Sequence, residues 1–245
     1  MRGQQHRNRI GAVVLLGLPG SGKGTQAGRL AAALGVPSVS TGELLRRETV
    51  RETALGRAVQ EIMARGQLVS DELVTRVLAA HLCSSAFRNG FVLDGYPRTV
   101  TQAKLLDDWL QTKGLGAPRA VYLDVSSEEV TARLANRLEC PKCGATYGTA
   151  KDLAARSGVC EKDGATLVHR LDDNAAAVME RFRQYELNTK PLIAHYETRN
   201  LLRIMATGTP DEVFTRVLTA LTSADNTLVR NASRTRVMMA ASVAG

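Results

Sequence analysis

The chain has 245 residues, 44% hydrophobic and 23% charged, enough to bury a large core as one α/β domain with insertions or as two domains. No stretch reaches the length of a membrane span, which excludes a chain that crosses a membrane as helices. The net charge of +8 sits largely at the ends, on Arg2, Arg7, Arg9, Arg230, Arg234 and Arg236, and the mildly basic body does not by itself single out nucleic acid as a partner.

Basic residues followed by an apolar run from Ile10 give Met1 to Leu18 the outline of a secretory signal. The run passes at once into Gly17-Leu18-Pro19-Gly20-Ser21-Gly22-Lys23-Gly24-Thr25 with no small-residue cleavage site before it, so that reading is rejected. A cytoplasmic, reducing setting is the expectation, under which the four cysteines need a role other than disulfides.

Ile10 to Leu16 reads as a strand, and the glycine-rich turn after it opens a helix. In such a turn consecutive backbone N–H groups point at one anion, the helix dipole adds to the field, and Lys23 supplies a full charge. The strict phosphate-loop pattern has Ser or Thr directly after the lysine, whereas here Gly24 intervenes before Thr25.

Val36 to Ser40, Phe91 to Asp94, Ala120 to Val125 and Leu201 to Ala206 read as further strands, with helices between them. Their apolar runs lack strict alternation, as in a parallel sheet buried on both faces. Ser40 with Glu43 and Ser126 with Glu129 fit the capping box, and Thr209-Pro210-Asp211-Glu212 places a helix start just after Gly208. Two stretches interrupt the alternation as insertions over the sheet: two short helical patterns from Ser40 to Val69, and a glycine-rich, cysteine-bearing segment from Asn136 to Asp173. The first nine residues read as a basic extension and residues 222–245 as a frayed tail.

Four more segments follow the loop in order: Ser40-Thr41-Gly42-Glu43-Leu44-Leu45-Arg46; Asp94-Gly95-Tyr96-Pro97-Arg98-Thr99 with Gln102; Arg133 to Arg137; and Arg170 through Arg181. With them the chain resembles a bacterial adenylate kinase of the zinc-lid type, a nucleoside monophosphate kinase, over residues 10 to 221. The Gly-Lys-Gly-Thr form of the loop is characteristic of such kinases. The resemblance implies a P-loop fold: a five-stranded parallel sheet flanked by helices, with core segments 10–39, 70–135 and 174–221, a helical monophosphate-binding insertion at 40–69 and a zinc-ribbon lid at 136–173. It implies reversible transfer of the terminal phosphoryl group of ATP to AMP with Mg²⁺, in a monomer.

By the same resemblance Gly20, Ser21, Gly22, Lys23, Gly24, Thr25, Arg133, Arg137, Thr146 and Tyr147 hold ATP. Thr41, Arg46, Gln67, Leu68, Val69, Gly95, Arg98, Gln102, Arg170 and Arg181 hold AMP, and Asp94 orders the water shell of Mg²⁺. Lys23, Arg98, Arg137, Arg170 and Arg181 surround the transferred group. The chemistry agrees, since guanidinium forks match phosphate oxygens bidentately without changing protonation state, and phosphoryl transfer asks for positioning and charge neutralisation, with no catalytic base.

Cys140-Pro141-Lys142-Cys143-Gly144 has the spacing of a zinc-knuckle half-site, and Cys160-Glu161-Lys162-Asp163 repeats it with a carboxylate. Cys140, Cys143, Cys160 and Asp163 are the expected structural zinc ligands, with Glu161 and His169 as competitors for the fourth place. The lid departs from the family in having Tyr147-Gly148 and Asp152-Leu153-Ala154 where relatives commonly carry Tyr-His and Asn-Pro-Pro, which is expected to loosen it. Cys83 reads as a buried core thiol and Trp109 as core, while His81 and His195 are assigned no chemistry. ATP and AMP are the expected partners, with neither nucleic acid nor membrane.

Overall fold

Six consecutive buried residues make Gly11–Leu16 (β1) a strand with water on neither face. It lies at the centre of a five-stranded sheet completed by Ser38–Ser40 (β2), Gly90–Asp94 (β3), Arg119–Asp124 (β4) and, after the lid strands, Leu201–Met205 (β8). The order is β2-β3-β1-β4-β8, and every pairing is parallel. In this computed structural model the residues described are 10–50, 53–148, 153–199 and 201–224. The basic extension, Asp152 and the tail from residue 225 lie outside them.

The strand alternation divides the interior into two cores. Ala12, Val14 and Leu16 face one with Phe91, Leu93, Leu106 and Leu192, and Val13 and Leu15 face the other with Leu30, Val92, Val121 and Leu221. Lys23–Leu34 (α1) and Pro210–Ala224 (α10) cover the second face. Asp71–Leu82 (α4), Val100–Thr112 (α5) and Pro191–Glu197 (α9) cover the first. From β1 the chain crosses to β2 and returns to β3 on one side, then passes to β4 and β8 on the other, and such a switch of order opens a crevice at the carboxyl end of the central strand.

Three caps read from sequence are made, with different second halves. Ser40 accepts from Glu43 N at 3.4 Å and Ser126 from Glu129 N at 3.2 Å, starting Thr41–Thr49 (α2) and Ser127–Ala135 (α6). Their Glu43 and Glu129 carboxylates turn to Arg47 and Arg133 one helical turn on. At α10 the box closes in both directions, Glu212 N to Thr209 Oγ1 at 3.3 Å and Thr209 N to Glu212 Oε2 at 2.7 Å.

The expected second strand is shorter than read. Val36 donates to Ala31 O at 3.1 Å, which finishes α1 behind the left-handed Gly35, so the strand begins only after Pro37. Cys83 is not a core thiol: it ends α4 exposed, its Sγ directed at Ala79 O at 3.2 Å, because the apolar stripe of that helix runs through Val74, Leu78 and Leu82. Trp109 is half-buried at the rim of the core, edge-on to Phe91 at 6.0 Å.

Two insertions rise over the carboxyl edge. The first is α2 with Ala54–Ala64 (α3), the latter capped by Thr53 through Gly56 N at 2.9 Å. The second is a small antiparallel sheet of Leu138–Glu139 (β5), Thr146–Tyr147 (β6) and Val168–His169 (β7) with the helix Leu153–Ser157 (α7). After the lid, Ala175–Gln184 (α8) continues into α9 through one widened π turn at Tyr185–Thr189. Pro191 has no N–H to continue the α ladder there. Thr189, in that turn, donates to Arg98 O at 3.0 Å, so the irregular turn braces a loop of the crevice.

Candidate active site

The glycine turn wraps the carboxyl end of β1. Gly22, at φ 95°, precedes α1, and Lys23 folds back so that Nζ donates to Gly17 O at 2.8 Å and Leu18 O at 2.7 Å. Desolvation in the cleft, with Arg98, Arg181 and Arg137 adding to it and Asp94 opposing it, lowers the Lys23 pKa to about 7. An incoming polyphosphate would restore its charge. Gly24 has a steric cause: a Cβ there would lie 3.2 Å from Asp94 Oδ2, so the departure from the strict pattern makes room for the carboxylate ending β3. Gly20, Ser21, Gly22, Gly24 and Thr25 line the same cleft, with Ser21 buried and Thr25 exposed to it. Arg133 is braced between the turn and the sheet, reaching Ser21 O at 3.4 Å and Ala206 O at 2.8 Å.

A second pocket opens beside the first, lined by Thr41, Gln67, Leu68, Val69, Gly95, Arg98 and Gln102. Thr41 is buried and donates to Gly95 O at 2.8 Å, tying the start of α2 to the end of β3. Arg98 is aimed by its own loop, Nε to Gly95 O at 3.0 Å, and by Gln102, whose Oε1 accepts from Arg98 N at 2.7 Å. Both ends of the Gln102 amide are engaged, because Nε2 donates to Asp71 Oδ1 at 2.7 Å. Gln102 therefore serves this pocket through Arg98.

Between the two pockets the cations converge: Lys23, Arg46, Arg98, Arg137, Arg170 and Arg181 all line one cleft. Three carboxylates hold four of them. Arg137 forks onto Asp173 with Nε at 2.7 Å, and Arg170 forks onto Asp172 at 2.9 and 2.8 Å. Arg181 donates to Asp173 Oδ1 at 2.8 Å, and Glu139 lies 3.2 Å from Arg170 and 3.5 Å from Arg46. Burial opposes ionisation of Asp172, but Arg170, with Arg181 and Arg137, overrides it and holds the carboxyl far below the usual range. Burial likewise brings Arg181 down to about 10, despite Asp172. Sequence reasoning missed these acids. Asp172 and Asp173 follow Arg170 after one residue, Leu171, as a readable signal, whereas Glu139 carries none.

In the lid the repeated spacing becomes a repeated turn. Gly144 N bonds Cys140 O at 2.9 Å and Cys140 N bonds Ala145 O at 2.9 Å; in the second turn Gly164 N bonds Cys160 O at 2.9 Å and Cys160 N bonds Ala165 O at 2.8 Å. The turns face each other, and one ligand atom from each of Cys140, Cys143, Cys160 and Asp163 falls within 4.8 Å of all the others. Cys143 Sγ is 3.6 Å from Cys160 Sγ and Cys140 Sγ 3.4 Å from Asp163. A tetrahedron of ligands about 2.3 Å from a metal has edges of about 3.7 Å, so the donor set fits. Glu161 and His169, both exposed, stand outside the four. Thr146 and Tyr147 line the same cleft as the glycine turn, but the Tyr147 hydroxyl reaches Cys160 Sγ at 3.2 Å. His195 lies 3.3 Å from Asp107 in a cluster with Arg199, away from the cleft. No helix among the described residues is long and apolar enough to cross a membrane.

Comparison with known proteins agrees with this geometry. A family model described as Adenylate kinase matches residues 15–201. An adenylate kinase of Anaeromyxobacter sp. (strain Fw109-5) is 42% identical over 202 residues, covering 82% of this chain and 94% of the relative. Adenylate kinases of Thermoanaerobacter sp. (strain X514), at 40%, and Clostridium tetani, at 39%, each align over 210 residues, covering 85% of this chain and 97% of the relative.

Proposed function

The chain belongs to the adenylate kinase family, and on that premise we propose that it transfers the terminal phosphoryl group of ATP to AMP, reversibly, giving two ADP. One observation carries the reading: Lys23, Arg98, Arg137, Arg170 and Arg181 meet in one cleft, between the glycine turn and the pocket under Thr41.

The N–H groups of Gly20 to Thr25 and the Lys23 ammonium hold the donor phosphates, with Arg133, Thr146 and Tyr147 on the nucleoside side. Arg46 and Arg98 grip the acceptor phosphate, and Thr41, Gly95 and the Gln67–Val69 segment surround its nucleoside. An acceptor phosphate oxygen forms a bond to the terminal phosphorus as the bond to the bridging oxygen breaks, and the charge passes to the leaving diphosphate. Arg137, Arg170 and Arg181 neutralise the moving group, and each arginine aimed there is worth roughly 10³ in rate. Mg²⁺, when bound with ATP, neutralises the outer phosphates, and Asp94 beside Gly24 is placed to order its water shell. Every group in this scheme comes from a single chain, so a monomer suffices.

The four lid ligands hold zinc in this reading, and its role is to fold the lid. Among the described residues only Cys140, Ala154, Cys160 and Leu167 are buried in that small cluster, too little apolar surface to order the segment without metal. Residues 40–69 act as the acceptor-binding part and 136–173 as the lid, over a core of 10–39, 70–135 and 174–221. A coupled assay of ADP formation from ATP and AMP tests the function, and no ADP from zinc-loaded protein with Mg²⁺ would overturn it. CMP, UMP and GMP are expected to be poorer acceptors than AMP in the same assay.

A further inference from the structure

We propose that Gln26 is a positioning residue for ATP: its amide sets the cleft wall beside the nucleoside at a fixed distance from the glycine turn that holds the phosphates. The inference deepens the kinase reading and rests on it for which side of the cleft the nucleoside takes.

Gln26 N closes the first turn of α1 onto Gly22 O at 3.0 Å, so the side chain leaves from the phosphate cradle itself. The residue is 2% exposed, and Nε2 donates to Pro210 O at 3.0 Å, at the start of α10. That bond orients the amide, because the opposite orientation would set two oxygens against each other. Oε1 is then buried, and no hydrogen-bond donor among the described residues reaches it.

A buried acceptor oxygen left without a donor has given up its hydration for no return. Leucine or methionine would fill the same space without that cost, so packing does not account for an amide at this position. Nor does Pro210 O depend on it, since it lies in the first turn of α10, where the helix ladder supplies an N–H. What the bond does supply is a link between α1 and the turn of residues 206–210.

That turn borders the cleft beside Arg133, with Ala206, Gly208 and Pro210 on the wall. Its carbonyls are held from three directions. Ala206 O accepts from Arg133 of α6 at 2.8 Å, Thr207 O from Arg216 of α10 at 2.9 Å, and Pro210 O from Gln26 of α1. Arg29 and Asp211 also join α1 to this region, but their side chains are 36% and 84% exposed, and water screens the pair. Gln26 is a buried connection between the part of the cleft that takes the phosphates and the part beside the nucleoside.

Gln26→Met and Gln26→Leu keep apolar bulk while removing both the N–H donor and the unpaired oxygen. Both variants are expected to unfold in urea at or above the wild-type midpoint. Their affinity for ATP, by calorimetric titration without AMP, is expected to fall roughly 3- to 10-fold, the worth of one hydrogen bond. Inorganic tripolyphosphate carries the phosphates without a nucleoside, and its affinity should stay at the wild-type value. Unchanged ATP affinity, or an equal fall for both ligands, overturns the assignment. A midpoint well below wild type also overturns it, because stability would then account for the amide. If wild type makes no ADP, the kinase reading fails, while the comparison of ATP with tripolyphosphate still decides the role of Gln26.

Discussion

The Gln102 amide donates to Asp71 Oδ1 at 2.7 Å while its oxygen accepts from Arg98 N at 2.7 Å. One buried side chain thus ties the start of α4 to the loop that carries a phosphate-facing arginine. Thr99 completes the tie, its hydroxyl donating to Asp71 Oδ2 at 2.7 Å. Gln102→Ala is expected to free Arg98 from its register and to leave Asp71 one donor short, costing about 1–3 kcal/mol of stability. The KM for AMP should rise well above that for ATP, measured by varying each substrate in turn. Equal effects on both would mean that Gln102 acts on the fold alone.

Lys23 gives the empty enzyme a pH signature. Desolvation, helped by Arg98, Arg181 and Arg137 and opposed by Asp94, takes its pKa from the ordinary 10.5 to about 7. Between these values the unfolded chain carries a proton that the folded chain does not, so stability must rise with pH across that window; below pH 7 the full cost of the buried charge is present. Lys23→Met removes the effect. Urea unfolding of the nucleotide-free proteins at pH 7 and pH 9 is expected to show wild type gaining on the variant, and parallel behaviour would contradict the assignment. The same variant should lose nearly all turnover, because its aliphatic end cannot neutralise the donor phosphates.

Most of the framework was legible because it follows from local rules. Unalternating apolar runs marked all five strands of the parallel sheet, and serine and threonine caps marked the starts of α2, α6 and α10. The repeated spacing of Cys140–Cys143 and Cys160–Asp163 became two matching turns. What was not legible depends on close approach between distant segments. Gly148, read as a loosening residue, has φ 157°, and a Cβ there would lie 2.9 Å from Asn136 O and 3.1 Å from Arg137 Cα, so a tight crossing at the base of the lid requires glycine. Glu139 looks like any strand-edge acid until Arg46 arrives from nearly a hundred residues earlier. Cys83 was misjudged from helical periodicity, which gives a face but not how far the core extends along it.

Metal removal separates the lid from the rest. With so small an apolar cluster in the lid, chelation or Cys143→Ser is expected to unfold residues 136–173 while the core sheet stays intact. Hydrogen exchange should show lost protection confined to the lid, and the KM for ATP should rise. Because the Tyr147 hydroxyl sits 3.2 Å from Cys160 Sγ, Tyr147→Phe should weaken zinc roughly 10- to 100-fold in a chelator competition, the usual consequence of losing a hydrogen bond to a ligand. An unchanged zinc affinity would return Tyr147 to a role with the nucleotide alone.

Gly24 offers a test in which stability and activity move in opposite directions. It occupies the second position of α1, where alanine is a better helix former by up to roughly 1 kcal/mol and also narrows the unfolded ensemble. Yet the new methyl group would lie 3.2 Å from Asp94 Oδ2, tighter than ordinary contact, and the carboxylate must move by a few tenths of an ångström to accept it. Asp94 is the one residue of β3 that is partly exposed, at the strand's end, so the shift is cheap for the fold. It is not cheap for a group that orients water around a metal ion, where small misplacement is amplified in rate. Gly24→Ala is therefore expected to melt at or above the wild-type temperature while its kcat falls by about 10-fold or more. Serine at this position, which restores the strict phosphate-loop pattern, should do the same. A variant that gained stability and kept full turnover would show that Asp94 has no part in the chemistry.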